Sequence, residues 1–316
     1  MQAFASDRHG GLDTLGLREL PRPVAGPGEV LVEVHAAALN PADDKVLAHK
    51  QGGGFLHASV FPLILGFDFS GVVVELGAQV TGRAVGDLVF GFLPYARSTR
   101  GGTFAEYVAV DARTVGSKPA TVAHADAAVT ATVGVTALQG LRAGRLAAGQ
   151  TILINGASGG VGGYAIQLAK ARGATVVATA SVARHAAVRA LGADRAIDYK
   201  VTPMAEIAER CAMVFDVASL SSYGACVHLL EPGGTYITLL PSAALVTGML
   251  RALVSSRRCK MLVVKPVGAD LDELGRALGD GTLKASVDAT YPLAELVQAF
   301  VHHRDRGGKI AISVRS

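Results

Sequence analysis

The 316-residue chain contains no tryptophan, only three cysteines, and few charges, with Asp, Glu, Lys and Arg making up 18% of it. Each shortage excludes something. Cys211, Cys226 and Cys259 are far apart, odd in number and free of any CxxC pair. That excludes a disulfide framework and a cysteine zinc knot, and points to buried free thiols in a reducing cytoplasm. The net charge of +4 comes from scattered Lys and Arg, with no basic tract to mark a nucleic-acid partner. The densest cluster, "SSRRCK" (Ser255 to Lys260), reads as a solvated turn. The N terminus, "MQAFASDRHG", lacks the apolar core of a signal peptide, and the charge-free stretch Ala127 to Leu141 is too short to span a bilayer. A soluble, cytoplasmic protein without a membrane partner is expected.

What is abundant is hydrophobic: half the residues are apolar, enough for two domains with buried cores. Residues 1 to about 122 read as β, from "GEVLVEVHAAAL" through "SGVVVELGAQV", "VGDLVFGF" and "TFAEYVAV", with Gly and Pro at the joints. From about residue 123, Ala-rich helices alternate with six short apolar runs: "TILIN", "TVVATA", "RAIDY", "MVFDVA", "TYITLL" and "MLVVKP". That alternation predicts an open parallel sheet with helices on both faces. The run "TYITLL", uncharged and apolar, is expected at the sheet edge. The last fifty residues return to a mixed pattern, with a helix near "DLDELGRALGDG" and a closing strand "KIAISV".

Between "TILIN" and the helix "GGYAIQLAKA" lie Gly156, Ala157, Ser158, Gly159, Gly160, Val161 and Gly162. Glycine loses the most backbone entropy on folding, so such a cluster serves either a sharp turn and close helix–sheet packing or a ligand lying on bare backbone. A strand–turn–helix context favours a dinucleotide pyrophosphate held by N–H groups at the helix start. The next strand ends at Ala178, Thr179 and Ala180, with no carboxylate for a ribose hydroxyl; Ser181 and Arg184 follow. A hydroxyl with a guanidinium suits the 2′-phosphate of NADPH, and a helix N-cap with a surface arginine is the alternative.

The stretches "INGASGGVGGYAIQLAKARGATVVATAS" and "LGADRAIDY" resemble the zinc-independent quinone oxidoreductase branch of the medium-chain dehydrogenases/reductases. So do "GPGEVLVEVHAAALNPADDK", "FPLILGFDFSGVVVELG", "GGTFAEYVAV", "LEPGGTYITL" and "YPLAELVQAF…GGKIAISV", in the family's order over nearly the whole chain. The resemblance implies a GroES-like catalytic domain from residues 1–122 and 266–316, a Rossmann domain over 123–265, and a homodimer. It implies hydride transfer from NADPH to a quinone or to the C=C bond of an α,β-unsaturated carbonyl. It carries the 2′-phosphate to Ser181, Arg184 and Tyr199, and the nicotinamide side to Thr136. An enoyl-thioester reductase, or a nucleotide-binding protein without turnover, are the alternative functions.

Zinc-dependent relatives have a cysteine after the "AA" stretch and a Gly-His-Glu further on. Here those positions are Asn40 and "GFD", with Phe67 in place of histidine, so no metal is expected. Hydrogen-bond donors then have to stabilise an enolate. The segment "LNPADDK" offers Asn40, to orient ribose or substrate, and Lys45, either to donate to the oxyanion or to stand solvated on the helix's first turn. Asn40 as N-cap, Pro41 at N1 and Asp43 at N3 also make a good helix start. Asp68 is expected to satisfy backbone donors in a turn. Tyr95, Tyr107 or solvent is the proton source.

Overall fold

The structure, a computed structural model, describes residues 1–50, 52–306 and 308–315, with Arg306 described by its backbone alone. In chain order the strands are β1 (Gln2–Ser6), β2 (Leu15–Glu19), β3 (Glu29–Ala38), β4 (Leu63–Ile64), β5 (Asp68–Leu76), β6 (Leu88–Phe92), β7 (Tyr107–Asp111) and β8 (Val115–Ser117). They continue with β9 (Thr151–Asn155), β10 (Thr175–Thr179), β11 (Arg195–Ile197), β12 (Cys211–Asp216), β13 (Leu230–Thr238), β14 (Arg258–Met261), β15 (Ala289–Pro292) and β16 (Ile310–Ser313). The helices are α1 (Pro41–Ala48), α2 (Gly53–Leu56), α3 (His124–Gly144), α4 (Gly160–Ala171), α5 (His185–Ala190), α6 (Tyr223–Cys226), α7 (Ala243–Ala252), α8 (Gly268–Gly279) and α9 (Leu296–Arg306). Among the described residues, no helix is long and apolar enough to cross a membrane.

Two compact units result, Met1–Val135 with Lys265–Ser316, and Thr136–Val264. The first division falls inside α3, beyond the change of texture near residue 122. In the first unit, the order β15-β16-β3-β5-β6-β8 makes the larger sheet, with β7 also paired to β3. The alternating valines Val30, Val32 and Val34 of β3 face a core with Phe67, Phe69, Phe104 and Phe300. Both chain ends therefore build one β-rich unit, because β16 pairs antiparallel with β3 at Ala311↔Ala38.

The second unit is a six-stranded parallel sheet in the order β11-β10-β9-β12-β13-β14, with five of the six strands in the apolar runs "TILIN", "TVVATA", "RAIDY", "MVFDVA" and "TYITLL". Strand order reverses between β9 and β12, the position where α/β sheets of this type bind ligands beyond their carboxyl ends. Its core gathers Leu153, Val177, Val214 and Tyr236 with all three cysteines. Burial pushes the Cys211 thiol up to about 12 and those of Cys226 and Cys259 to about 11, so all three are inert.

Two expectations are corrected here. The run "TYITLL" is not an edge, because β13 lies between β12 and β14. The edge on that side of the sheet, β14, begins within "SSRRCK", read as a solvated turn, and ends at Met261, so most of "MLVVKP" lies beyond it. The cations there are not free in water: Arg257 Nε donates to Leu230 O at 2.7 Å and Lys260 Nζ to Ala143 O at 3.0 Å. A strand bearing Arg258 and Lys260 suits an edge, where charge discourages uncontrolled pairing.

Candidate functional site

Within the second unit, β9 ends at Asn155 and the chain turns through Gly156, whose φ of 83° is left-handed. A Cβ at Gly156 would meet Ala218 Cβ at 2.8 Å, and one at Gly162 would meet Gly156 O at 2.5 Å. Those two glycines serve the turn and the seating of α4 on it. Gly159 differs: it is exposed, its φ of −82° and ψ of 172° suit any residue, and an added Cβ would find only Gly156 O at 3.4 Å. Nothing in the fold requires glycine there, whereas a ligand approaching the backbone would. Ser158 beside it is exposed as well, and the first N–H groups of α4, at Gly160, Val161 and Gly162, have no acceptor within their own helix. This open cradle fits a dinucleotide pyrophosphate.

A buried polar network unforeseen from the sequence fixes the turn. Asn155 Nδ2 donates to Asp216 Oδ1 at 2.7 Å, and Thr179 Oγ1 donates to Asn155 Oδ1 at 2.6 Å. The Gly156 N–H reaches Thr179 Oγ1 at 3.3 Å, while Tyr236 O–H and the Ser221 N–H donate to Asp216 Oδ2 at 2.7 and 2.9 Å. The network ties β10, β9, β12 and β13 together at one end. Its only sequence signal is a polar residue closing the runs "TILIN" and "MVFD".

The residues assigned to the 2′-phosphate follow neighbouring strands at that same end. Thr179 of β10 is in register with Ile197 of β11, which puts Ser181 and Arg184 on one connection and Tyr199 on the next. Ser181 precedes a 3₁₀ turn but makes no side-chain cap bond, leaving its hydroxyl unused by the capping alternative. Arg184 and Tyr199 are exposed. Thr136 is buried on α3.

In the first unit, the segment after β3 meets the start of β5. Asn40 is the N-cap of α1, and Asp43 Oδ2 accepts its N–H at 2.8 Å while Asp43 Oδ1 accepts from Gly66 N at 3.0 Å. Asp43 is wholly buried, and desolvation pushes its carboxyl up to about 8 against the pull of those two donors. It is a structural cap. Asp68, also wholly buried, does not chiefly serve turn amides, as the sequence suggested. It accepts from Asn40 Nδ2 at 2.9 Å, from Thr132 N at 3.2 Å, from the Thr132 hydroxyl, and from Lys309 Nζ at 3.3 Å.

Lys309 and Thr132 were not found from the sequence. Lys309 Nζ also donates to Asn40 Oδ1 at 3.0 Å and Leu39 O at 3.2 Å, closing a ring of ammonium, amide and carboxylate that fixes the Asn40 side chain. Tyr95 joins through its hydroxyl, 3.4 Å from Thr132 Oγ1, and its ring packs on Phe67 with centroids 4.3 Å apart. Burial, then the Asp68 charge, raise its phenol well above the usual range. Lys45 stands apart on α1, partly exposed, and its ammonium makes no hydrogen bond or ion pair among the described residues. No three His, Cys, Asp or Glu side chains converge as a metal set among those residues.

Comparison with known proteins agrees with this architecture. Residues 26–120 match the alcohol dehydrogenase GroES-like domain, and residues 191–312 match the zinc-binding dehydrogenase family. The chain is 32% identical over 309 residues to 2-methylene-furan-3-one reductase of Solanum lycopersicum, covering 95% of this chain and 75% of that one. It is 30% identical over 331 residues to the chloroplast envelope quinone oxidoreductase homolog of Arabidopsis thaliana, covering 99% and 98%. The quinone oxidoreductase structure from Coxiella burnetii superposes with a TM-score of 0.88 at 32% identity, over 100% of this chain and 99% of that one. With a GroES-like β-rich unit, a Rossmann parallel sheet and relatives of this kind along its whole length, the chain belongs to the quinone oxidoreductase-like branch of the medium-chain dehydrogenase/reductase superfamily, and is a nicotinamide-dinucleotide-dependent oxidoreductase.

Proposed function

We propose that this chain uses NADPH to reduce a quinone or the C=C bond of an α,β-unsaturated carbonyl. The observation that carries the cofactor half is Gly159, left open for a ligand in a turn whose neighbouring strand ends without a carboxylate and with Arg184 exposed. The names of the relatives support the substrate half. In this reading the backbone N–H groups of Gly160, Val161 and Gly162 hold the pyrophosphate, and Gly159 leaves it room to approach. Ser181, Arg184 and Tyr199 hold the 2′-phosphate, and Thr136 lines the nicotinamide side. The bound cofactor supplies the hydride. The chain's own residues orient the substrate and neutralise the oxyanion that forms. Lys45, with its ammonium uncommitted, donates to that oxygen, and Asn40 uses the Nδ2 proton that is held only weakly, 3.4 Å from Ala38 O. A panel of enones and quinones followed by NADPH absorbance tests the reading, and tight NADPH binding without oxidation by any of them would overturn it.

We also propose a homodimer joined at the β14 edge, where Met261 and Val263 are exposed and where α7, packed against β14, exposes Val246, Met249 and Leu250. Light scattering that reports a 32.4 kDa particle at micromolar concentration would contradict it.

A further inference from the structure

Reduction of an enone needs a proton at the α-carbon after hydride has reached the β-carbon, and the two candidate phenols are held very differently. Tyr107 O–H donates to Glu33 Oε1 at 3.0 Å, and the guanidinium groups of Arg22 and Arg315 approach its ring at 4.3 and 5.6 Å from the centroid. It is committed to a surface cluster of charges. Tyr95 is partly exposed, backed by Phe67, and among the described residues hydrogen-bonded only to Thr132. The Thr132 proton goes to Asp68, so in the Tyr95–Thr132 pair the phenol is the donor. At 3.4 Å that bond is at the weak end of the range, and turning the O–H away from it costs little.

We propose that Tyr95 is the proton donor to the α-carbon. This rests on the enone reading of the function. The two electrons of the former C=C bond, left as an enolate when hydride adds, take the proton from Tyr95 Oη and form the new C–H bond. The O–H bond of the phenol breaks, the enolate returns to a carbonyl, and the phenolate takes a proton from water. The raised phenol keeps its proton at neutral pH, so the donor is loaded before each turnover. The brief phenolate lies near the Asp68 carboxylate, which would repel it. That repulsion favours rapid return of a proton from water, so the phenol is restored before the next turnover.

Quinone reduction separates this role from a structural one. Protons added to a quinone finish on oxygen, where water supplies them, so no positioned carbon acid is needed. The experiment uses the full chain as wild type, Tyr95→Phe and Tyr107→Phe. Each is assayed with a quinone and with an α-methyl enone in D₂O, and the product is analysed by NMR. Wild type should place deuterium on one face of the α-carbon. Tyr95→Phe should reduce the enone about 100-fold more slowly, lose facial selectivity at the α-carbon while keeping it at the β-carbon, and reduce the quinone unchanged. Tyr107→Phe should match wild type. A Tyr95→Phe enzyme with wild-type rate and α-face would overturn the proposal, as would equal loss of enone and quinone turnover, which would make Tyr95 structural. A wild type that reduces no enone would instead remove the functional reading on which the proposal rests.

Discussion

Removing the Lys309 ammonium would leave a carboxylate that the fold has sealed from water. The Asp68 side chain is 0% exposed and that of Lys309 only 7%, and the pair is 3.3 Å apart. Breaking a buried ion pair from one side costs about 3–5 kcal/mol, mostly for the charge left behind. Asp68 would keep Asn40 Nδ2, Thr132 N and the Thr132 hydroxyl as donors, which puts the cost of Lys309→Met near the lower end. In a domain of roughly 150–250 residues each kcal/mol moves Tm by about 2–4 °C, so about 3 kcal/mol predicts a fall of about 6–12 °C. Calorimetry on Lys309→Met, Asp68→Asn and the double variant measures it. The double variant, with both charges gone, should lose less than the two single losses added together. A fall of under about 2 °C for Lys309→Met, or strictly additive losses, would refute the reasoning.

Three further outcomes are expected. Gly159→Val should cost no more than about 1 kcal/mol of stability, because its Cβ has room although Val caps a helix poorly, yet weaken NADPH and NADH alike by about tenfold or more in titrations; Gly162→Ala should instead destabilise the fold, since its Cβ would meet Gly156 O at 2.5 Å. Arg184→Ala should weaken NADPH by about 10- to 150-fold and leave NADH unchanged, measured as Kd at one fixed salt concentration. Burial first, then Lys118 and His35, lower His124 from 6.5 to about 4. The folded state therefore binds fewer protons than the unfolded chain, and its stability falls as pH drops from about 6.5 to about 4. His124 is partly exposed, so solvent reduces the effect to about 1–2 kcal/mol. Asp43, held near 8, acts oppositely, losing its contribution as pH rises. Denaturation of His124→Gln against wild type across this range isolates the histidine, and parallel curves would contradict its role.

The backbone plan was legible because period and punctuation are local properties. Five of the six apolar runs hold the paired strands β9 to β13, the sixth strand forms just before "MLVVKP", and the glycines fall in the turn after β9 and the first turn of α4. The edge was misjudged because "TYITLL" looks like a strand wanting a partner, whereas "RCKM" hides one behind two cations, of which Lys260 bonds to the Ala143 carbonyl. The polar clusters were only half visible. Asn40 and Asp68 lie in motifs, but Lys309 is 241 residues from Asp68 and Thr132 is 64 residues away in the middle of a helix, so only the fold brings them together. Asp216 and Tyr236 escaped for the same reason, each ending or lying inside an apolar run. A buried ion pair leaves no periodic signature, since its partners are chosen by tertiary contact alone.

The central claim is hydride transfer from NADPH to an activated double bond, and isotope transfer tests it most directly. The purified chain is given NADPH carrying deuterium at the hydride position together with an enone in ordinary water, and the product is read by NMR. The account predicts deuterium at the β-carbon on a single face and a proton from the solvent pool at the α-carbon. Deuterium at the carbonyl carbon, as in an alcohol dehydrogenase, or no deuterium in any product despite saturating NADPH, would contradict it.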